Sequence, residues 1–133
     1  MTAPADRNLT GDWQGLYSYP GNQPPTPFLA RLTETDGWIA GAIEEIATVG
    51  DTAGQPITAT LAGRRIGRSV TFLKTYDATL IGYDAVAYAG EIDASGDEID
   101  GRWRVSASWT GPFLMIRSGA AGVYAARVVR ACV

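Results

Sequence analysis

The sequence predicts an all-β fold, an eight-stranded antiparallel up-and-down β-barrel, and three observations carry that prediction. Apolar and polar residues alternate with a period of two in eight separate runs. Segments rich in Gly, Pro, Asp and Asn separate these runs. In several runs glycines share a face with bulky side chains, which suits the narrow interior of a closed barrel.

Strands are expected, in chain order, at about 9–19, 27–35, 38–47, 55–63, 68–76, 85–94, 98–108 and 111–118. Residues 20–27 contain four prolines, which lack the amide hydrogen that a sheet ladder needs, so this segment is predicted to be a loop. Asp36-Gly37 and the segment 95–97 are typical of hairpin turns. Because the connections are short, neighbouring strands are expected to pair antiparallel.

The size of the chain, 133 residues, indicates a single domain over 1–133. The barrel is expected at about 9–118, followed by a tail at 119–133. The tail is rich in Ala and Val. It is predicted to form either a short helix across one end of the barrel or a ninth strand.

One phase of each strand is predicted to face the interior. This inner set comprises Gly11, Trp13, Gly15, Tyr17, Phe28, Ala30, Leu32, Ile39, Gly41, Ile43, Glu45, Ile57, Ala59, Leu61, Val70, Phe72, Lys74, Tyr76, Val86, Tyr88, Gly90, Ile92, Ile99, Gly101, Trp103, Val105, Phe113, Met115 and Arg117. The opposite phase is mainly threonine and charge, which suits solvent. Leu73, Leu114 and Ile116 are apolar exceptions on the outer face, and they suggest a contact within a homo-oligomer.

Strand direction predicts which inner residues meet at one end. Late positions on odd strands share an end with early positions on even strands, so Tyr17, Glu45, Lys74, Tyr76 and Tyr88 are expected to form a polar set there. The neighbouring apolar candidates are Phe28, Phe72, Trp103 and Met115. A one-residue slip of the third strand would exchange Glu45 for Glu44.

Two interpretations of this set remain open. In the first, the phenols and an ion pair orient the polar group of a ligand while the apolar candidates hold its body. In the second, Glu45 and Lys74 form a structural pair, and the tyrosines reach water at the rim.

The other end of the barrel is predicted to be closed by Trp13 and Arg117. The eighth strand must pair with the first to close the sheet, so these two side chains meet in a cation–π contact. Gly11-Asp12-Trp13 together with Arg117 resembles the Gly-x-Trp and Arg pair of calycin barrels, the lipocalins, fatty-acid-binding proteins and avidins. Gly101-Arg102-Trp103 is most similar to the avidin-like and small bacterial members.

This resemblance covers about residues 9–118 and implies an eight-stranded barrel with a ligand cavity at one end. The sequence departs from avidins because it lacks a matching set of biotin-contacting positions. It departs from secreted lipocalins because no signal peptide or disulfide is visible. Only Trp13 and Arg117 are therefore carried over, as structural residues.

Composition excludes several classes of function. The chain has no histidine and one cysteine, Cys132, so no His-based catalysis, no Cys-rich metal site and no internal disulfide is expected. A net charge of −3 argues against nucleic-acid binding. No apolar run is long enough to span a bilayer and no signal peptide is visible, so a cytoplasmic protein without a membrane partner, metal or cofactor is predicted.

Three other polar segments are interpreted as structural. Arg64, Arg65 and Arg68 are expected to be a solvated hairpin tip before they are an anion site. The segment 93–100 superficially resembles a calcium loop, but Glu98 and Arg104 stand where an EF-hand needs Gly and Glu, so a β-turn is predicted. Tyr83 and its flanking acids, in 77–84, are interpreted as a polar loop.

Three functions follow as hypotheses. The first is a binding module for a small, partly apolar molecule. The second is a barrel cyclase or isomerase in which Glu45 or Tyr76 moves a proton. The third is a structural or oligomeric protein. Because the fold alone does not distinguish these functions, the side chains that line the barrel interior have to be considered.

Overall fold

The computed structural model describes residues 8–21, 24–46, 54, 56–76 and 85–118, with only the backbone of Ile46. It contains eight strands: β1 Gly11–Tyr17, β2 Thr26–Thr35, β3 Trp38–Ile46, β4 Pro56–Ile66, β5 Ser69–Tyr76, β6 Val86–Ile92, β7 Glu98–Arg104 and β8 Thr110–Arg117. Each strand pairs antiparallel with the next, and β8 pairs with β1, so the sheet is a closed barrel. The predicted fold class is confirmed.

The two ends of the barrel differ in how their strands are joined. Tight turns at Asp36-Gly37 and Gly67-Arg68 connect β2 to β3 and β4 to β5. Asp36 and Gly37 both have positive φ, 52° and 83°, as a two-residue hairpin that matches the twist of its strands requires. The end that holds these turns is called the hairpin end. The opposite end carries the connections after β1, β3, β5 and β7 and is called the loop end.

Alternating burial shows which residues form the core. Buried and exposed positions alternate along all ten residues of β2, and the same alternation continues through most of β4 and β5. Glu45 is buried and Glu44 is exposed, so the third strand has the predicted phase. Apolar side chains from all eight strands meet inside the barrel.

The seventh strand ends earlier than predicted. β7 stops at Arg104, and the N–H of Val105 donates to the carbonyl of Trp109, so residues 105–109 turn back on themselves. Val105 is exposed, and its assignment to the inner face is wrong. The period of two cannot locate this turn because Ser106 and Ser108 continue the alternation that precedes them.

The outer face of β8 also differs from the prediction. Ile116 is buried and Leu114 is half-buried, so neither is the exposed outer residue that was expected. Buried neighbours Met115 and Ile116 show that β8 is covered on both faces at this point. Leu73 does point outward and is exposed.

Glycines make room for rings in the barrel interior. Gly90 and Gly101 lie directly opposite each other on β6 and β7. A methyl group on Gly90 would lie 3.0 Å from the ring of Phe113, and one on Gly101 would overlap the carbonyl oxygen of Ala89. The absence of a side chain at Gly90 leaves room for the Phe113 ring, and the absence of one at Gly101 lets the backbones of β6 and β7 lie close together.

Some predictions fall outside the described residues. They are the helix or ninth strand at 119–133, the polar loop 77–84, and Cys132. In the part of the chain that the structure describes, no helix is long and apolar enough to cross a membrane. The same part contains no cluster of His, Cys, Asp and Glu that could hold a metal ion.

Candidate functional site

Strand direction brings five predicted residues together inside the loop end. Tyr17 is the last residue of β1, Glu45 lies near the end of β3, and Tyr76 is the last residue of β5. Lys74 precedes Tyr76 by two positions and therefore faces the same side. Phe28, near the start of β2, pairs with Glu45 on the neighbouring strand.

The Glu45 carboxylate accepts three hydrogen bonds inside the barrel. Nζ of Lys74 donates to Oε2 at 2.6 Å. The hydroxyls of Tyr17 and Tyr76 both donate to Oε1, each at 3.0 Å. The Lys74 side chain is 0% exposed and that of Glu45 is 1% exposed, so the ion pair is fully withdrawn from water.

Four aromatic rings surround the Lys74 ammonium group. Nζ lies 4.6 Å from the ring centre of Tyr76 and 4.8 Å from that of Tyr17. The rings of Phe28 and Tyr88 follow at 5.5 and 5.8 Å. The negative faces of these rings attract the cation in a place that water does not reach. We call Glu45, Lys74 and these four rings the lysine cage.

A stacked aromatic cluster adjoins the lysine cage. The rings of Phe72 and Tyr88 are 4.7 Å apart and nearly parallel, and the edge of Phe113 meets Tyr88 at 4.9 Å. Met115 lies between Gly15 and Ile99 on the neighbouring strands. Phe72 and Met115 are both buried, so they line the apolar part of the interior, as predicted.

A second cluster of rings lies at the rim of the loop end. Tyr19 meets Tyr17, Trp103 and Trp109, with ring centres 5.4, 5.9 and 5.9 Å apart. Trp103 is buried as predicted and donates from Nε1 to the carbonyl of Ser18. Trp109 is 44% exposed.

Sequence reasoning missed Tyr19 and Trp109 as members of this cluster. The signal for Tyr19 was present, because continuing the inner period of β1 by two residues from Tyr17 reaches it. No comparable signal existed for Trp109, which a turn rather than a strand brings to the rim.

Burial changes the acid–base properties of the lysine cage. Removal from water lowers the pKa of Lys74, and the nearby Glu45 charge opposes this without cancelling it. Removal from water, followed by the charge of Glu45, raises the pKa of Tyr17, Tyr76 and Tyr88 far above the ordinary value. The phenols therefore remain protonated hydrogen-bond donors at any physiological pH.

The hairpin end is closed by the predicted pair. Trp13 and Arg117 are partners across β1 and β8, and the guanidinium lies 4.5 Å from the indole centre. Arg117 also donates to the carbonyls of Asn8, Thr10 and Gly96. The assignment of Trp13 and Arg117 to closure is consistent with this geometry.

A charged pair that the sequence prediction did not identify reinforces this closure. Arg65 forms a bidentate pair with the buried carboxylate of Glu34, at 2.9 and 2.7 Å. The same carboxylate accepts from the N–H of Leu9, which is itself fully buried. Arg65 is therefore not part of a solvated tip, whereas Arg64 stacks on the exposed Trp38 at 4.2 Å.

The segment after β6 forms the predicted turn. Oδ1 of Asp93 accepts hydrogen bonds from the backbone of Gly96, Asp97 and Glu98 and from the Ser95 hydroxyl. This carboxylate oxygen therefore holds the turn together.

The outer wall of the barrel carries shallow depressions. One of about 440 Å³ lies over β3, β4 and β5 and is lined mainly by small and polar side chains: Ala42, Ile43, Glu44, Thr58, Ala59, Thr60, Thr75 and Tyr76. Tyr76 is the candidate site residue that borders it.

Comparison with protein-family models, curated proteins and solved structures finds no match to this chain. Function is therefore inferred from the side chains of the barrel.

Proposed function

We propose that the protein binds a small, partly apolar molecule at the loop end of a calycin-like barrel. In this proposal the lysine cage orients the polar group of the ligand, and the adjoining rings hold its apolar body. The single observation that carries the proposal is the Lys74–Glu45 ion pair, fully buried among aromatic rings at this end.

The energetics of buried charge favour recognition over a purely structural role. An ion pair withdrawn from water contributes little net stability, because desolvation offsets most of the attraction between the charges. Apolar side chains of similar volume would fill the same space at least as well. Ligand binding would explain why a charged pair occupies this position, whereas packing alone would not.

The donors in the cage indicate the chemistry of the ligand. Lysine has three N–H donors, and the bond to Glu45 uses one of them. Because the ion pair has no net charge, a neutral ligand enters without adding an unbalanced charge to the interior. A carbonyl compound with an apolar body, held by a hydrogen bond from Lys74, satisfies both conditions.

The rim of the loop end carries aromatic surface next to the proposed site. Trp109 and Tyr19 place partly exposed rings next to Trp103 and Tyr17. An apolar molecule can contact these rings before it reaches the cage.

The tyrosine pKa values favour binding over proton transfer. A general acid or base works best when its pKa lies near the working pH. Burial moves the pKa of Tyr17 and Tyr76 away from neutrality, so these phenols are poorly suited to shuttle protons. They are well suited to donate hydrogen bonds.

The calycin-like assignment has two supports. The chain closes eight antiparallel strands in simple sequential order. The Gly11-Asp12-Trp13 motif opens β1, and Arg117 on β8 stacks over its tryptophan.

Binding of prodan, a neutral naphthyl ketone whose fluorescence depends on polarity and hydrogen bonding, tests the proposal. The native protein is expected to bind it and shift its emission. Lys74→Met is expected to weaken binding about tenfold or more, since a hydrogen bond to a charged donor contributes about 1.5–3 kcal/mol. Glu44→Gln, one residue from the site but exposed, is the matched control and should bind like the native protein.

Native mass spectrometry of the freshly purified protein adds a second measurement, since it would detect a co-purifying ligand. Equal prodan binding by the native protein and a folded Lys74→Met variant would contradict the proposal.

A further inference from the structure

Lys74 is the only lysine of the chain. It is also fully buried, which is rare for lysine and requires a partner, here Glu45. An arginine would keep a positive charge and pair more readily with a carboxylate. What lysine offers instead is an amine that can lose its proton and act as a nucleophile.

Three features of the surroundings suit that chemistry. The amine is fully withdrawn from water, and this loss of hydration favours its neutral form. Its hydrogen-bond partner is a carboxylate, which can accept and return a proton. The phenols of Tyr17 and Tyr76 remain protonated and hold that carboxylate in place.

We infer that Lys74 captures an apolar aldehyde as an imine, with Glu45 as proton acceptor and counter-ion. This inference rests on the proposed function, because the aldehyde has to enter the same site, and it names the ligand class and adds a covalent step.

The step balances without a further reactant. Glu45 takes a proton from the Lys74 ammonium, and the free amine attacks the aldehyde carbon to form a carbinolamine. The carboxyl group of Glu45 then returns the proton to the carbinolamine hydroxyl, which leaves as water. The product is a protonated imine beside the Glu45 carboxylate, and the overall change is ammonium plus aldehyde to iminium plus water.

The electrostatics of the cage fit both states. The iminium carries the same single positive charge as the ammonium that it replaces. The ion pair with Glu45 and the contacts with the four rings therefore persist after the reaction. Exclusion of water from the site slows hydrolysis of the imine.

The experiment uses naphthaldehyde with cyanoborohydride, which reduces an imine to a stable secondary amine. The full-length native protein is incubated near neutral pH, and intact mass spectrometry counts the added groups. Cleavage at arginine assigns them, since Lys74 lies in the peptide 69–102. Prodan displacement by naphthaldehyde, without the reductant, measures non-covalent entry into the same site.

Two amines serve as references in the same tube. One is the α-amino group, whose ordinary pKa of about 7.7–8.0 makes it more reactive than an ordinary lysine at neutral pH. The other is the lysine introduced by Thr33→Lys, an exposed position on the outer face of β2. Each unit by which a pKa falls raises the neutral fraction of an amine about tenfold at neutral pH.

The expected result is that position 74 is modified before both references in the folded protein. In denaturant the order should reverse, with the α-amino group modified first. Lys74→Arg, which keeps the positive charge, should abolish the modification of the segment 69–102.

Modification of the references alone, with Lys74 reached only on unfolding, overturns the inference. If naphthaldehyde nevertheless displaces prodan, the proposed binding function survives that result. If prodan does not bind at all, both proposals fail together.

Discussion

The Nζ atom of Lys74 lies 2.6 Å from Oε2 of Glu45, and neither side chain is exposed to solvent. Each charge is stable in the barrel interior only because the other is present. Two phenol hydroxyls and four ring faces complete the solvation that water would otherwise supply. The stability of the barrel and the chemistry of the site are therefore linked at this one contact.

Replacing one member of the Lys74–Glu45 pair should destabilise the fold more than replacing both. Lys74→Met and Glu45→Gln are each expected to lower the free energy of unfolding by about 3–5 kcal/mol, because a buried charge or polar group loses its partner. The double variant should recover most of that loss. Glu44→Gln, exposed, should change stability by less than about 0.5 kcal/mol. Denaturant unfolding measures all four, and a double variant as unstable as the sum of the singles would refute the coupling.

Stability should fall steeply in alkali. The buried phenols of Tyr17, Tyr76 and Tyr88 keep their protons in the folded state, whereas in the unfolded chain they lose them above their ordinary pKa of about 10. Above that pH the folded state binds more protons, so stability decreases by up to about 1.4 kcal/mol per pH unit for each phenol.

The lowered pKa of Lys74 changes stability with pH in the opposite direction, at pH values below those at which the phenols ionise. Its pKa is lowered, so the unfolded chain binds more protons between the folded value and the ordinary 10.5, and stability rises with pH across that window. Tyrosinate absorbance followed alongside circular dichroism checks both effects. Ionisation of these three phenols at their ordinary pKa, with the fold intact, would show that they are not held as described.

The sequence predicted the barrel well because its strands are half buried. Along β2, Phe28, Ala30 and Leu32 alternate with exposed positions, and a period of two is the direct signature of one buried face. The same logic placed Glu45 and Lys74 inside, although both are charged. Phase is a property of the whole strand, so charge at one position does not change it.

What the sequence could not predict depends on long-range packing. Glu34 shares the inner phase of β2, but its partner Arg65 lies 31 residues away on β4. Trp109 reaches the rim through a turn, and Ile116 is buried on a face that alternation assigns to the outside. Periodicity assigns the direction of a side chain, but not the group that it meets.

The arginine at the hairpin end should not be replaceable by lysine. The planar guanidinium of Arg117 stacks on Trp13 while two of its nitrogens donate to three backbone carbonyls, and the compact ammonium group of lysine lacks this planar fork. Arg117→Lys is expected to lower the free energy of unfolding by about 1–3 kcal/mol. Arg31→Lys is the control, since its pair with Asp12 is exposed and contributes less than about 1 kcal/mol. Equal effects of the two substitutions would argue against the closing role.

Acid pH should lower the stability of the hairpin end through protonation of Glu34. Burial acts to raise the pKa of this carboxyl group, but the hydrogen bonds from Arg65 and the Leu9 N–H outweigh it, so the pKa lies below 4.5. A lowered pKa contributes stability above the unfolded value, and that contribution is lost as pH falls through the folded value. Glu34→Gln should therefore unfold more easily at neutral pH but lose less stability between neutral and acid pH. A native pH profile unchanged by this substitution would contradict the assignment.

The opposed glycines on β6 and β7 should tolerate no side chain. A methyl group on Gly101 would overlap the carbonyl of Ala89 and the backbone of Gly90, and neither can move without separating the two strands. Gly101→Ala is therefore expected to lower the free energy of unfolding by about 1–3 kcal/mol or more, as overpacking typically does. In Gly15→Ala the new methyl group would meet the ring of Phe28, a side chain that can rotate, so the cost should be smaller. Because Phe28 belongs to the lysine cage, this variant should instead weaken prodan binding. Thermal unfolding and prodan titration of both variants measure the two effects, and a Gly101→Ala protein as stable as the native one would show that the close approach of β6 and β7 does not require glycine at this position.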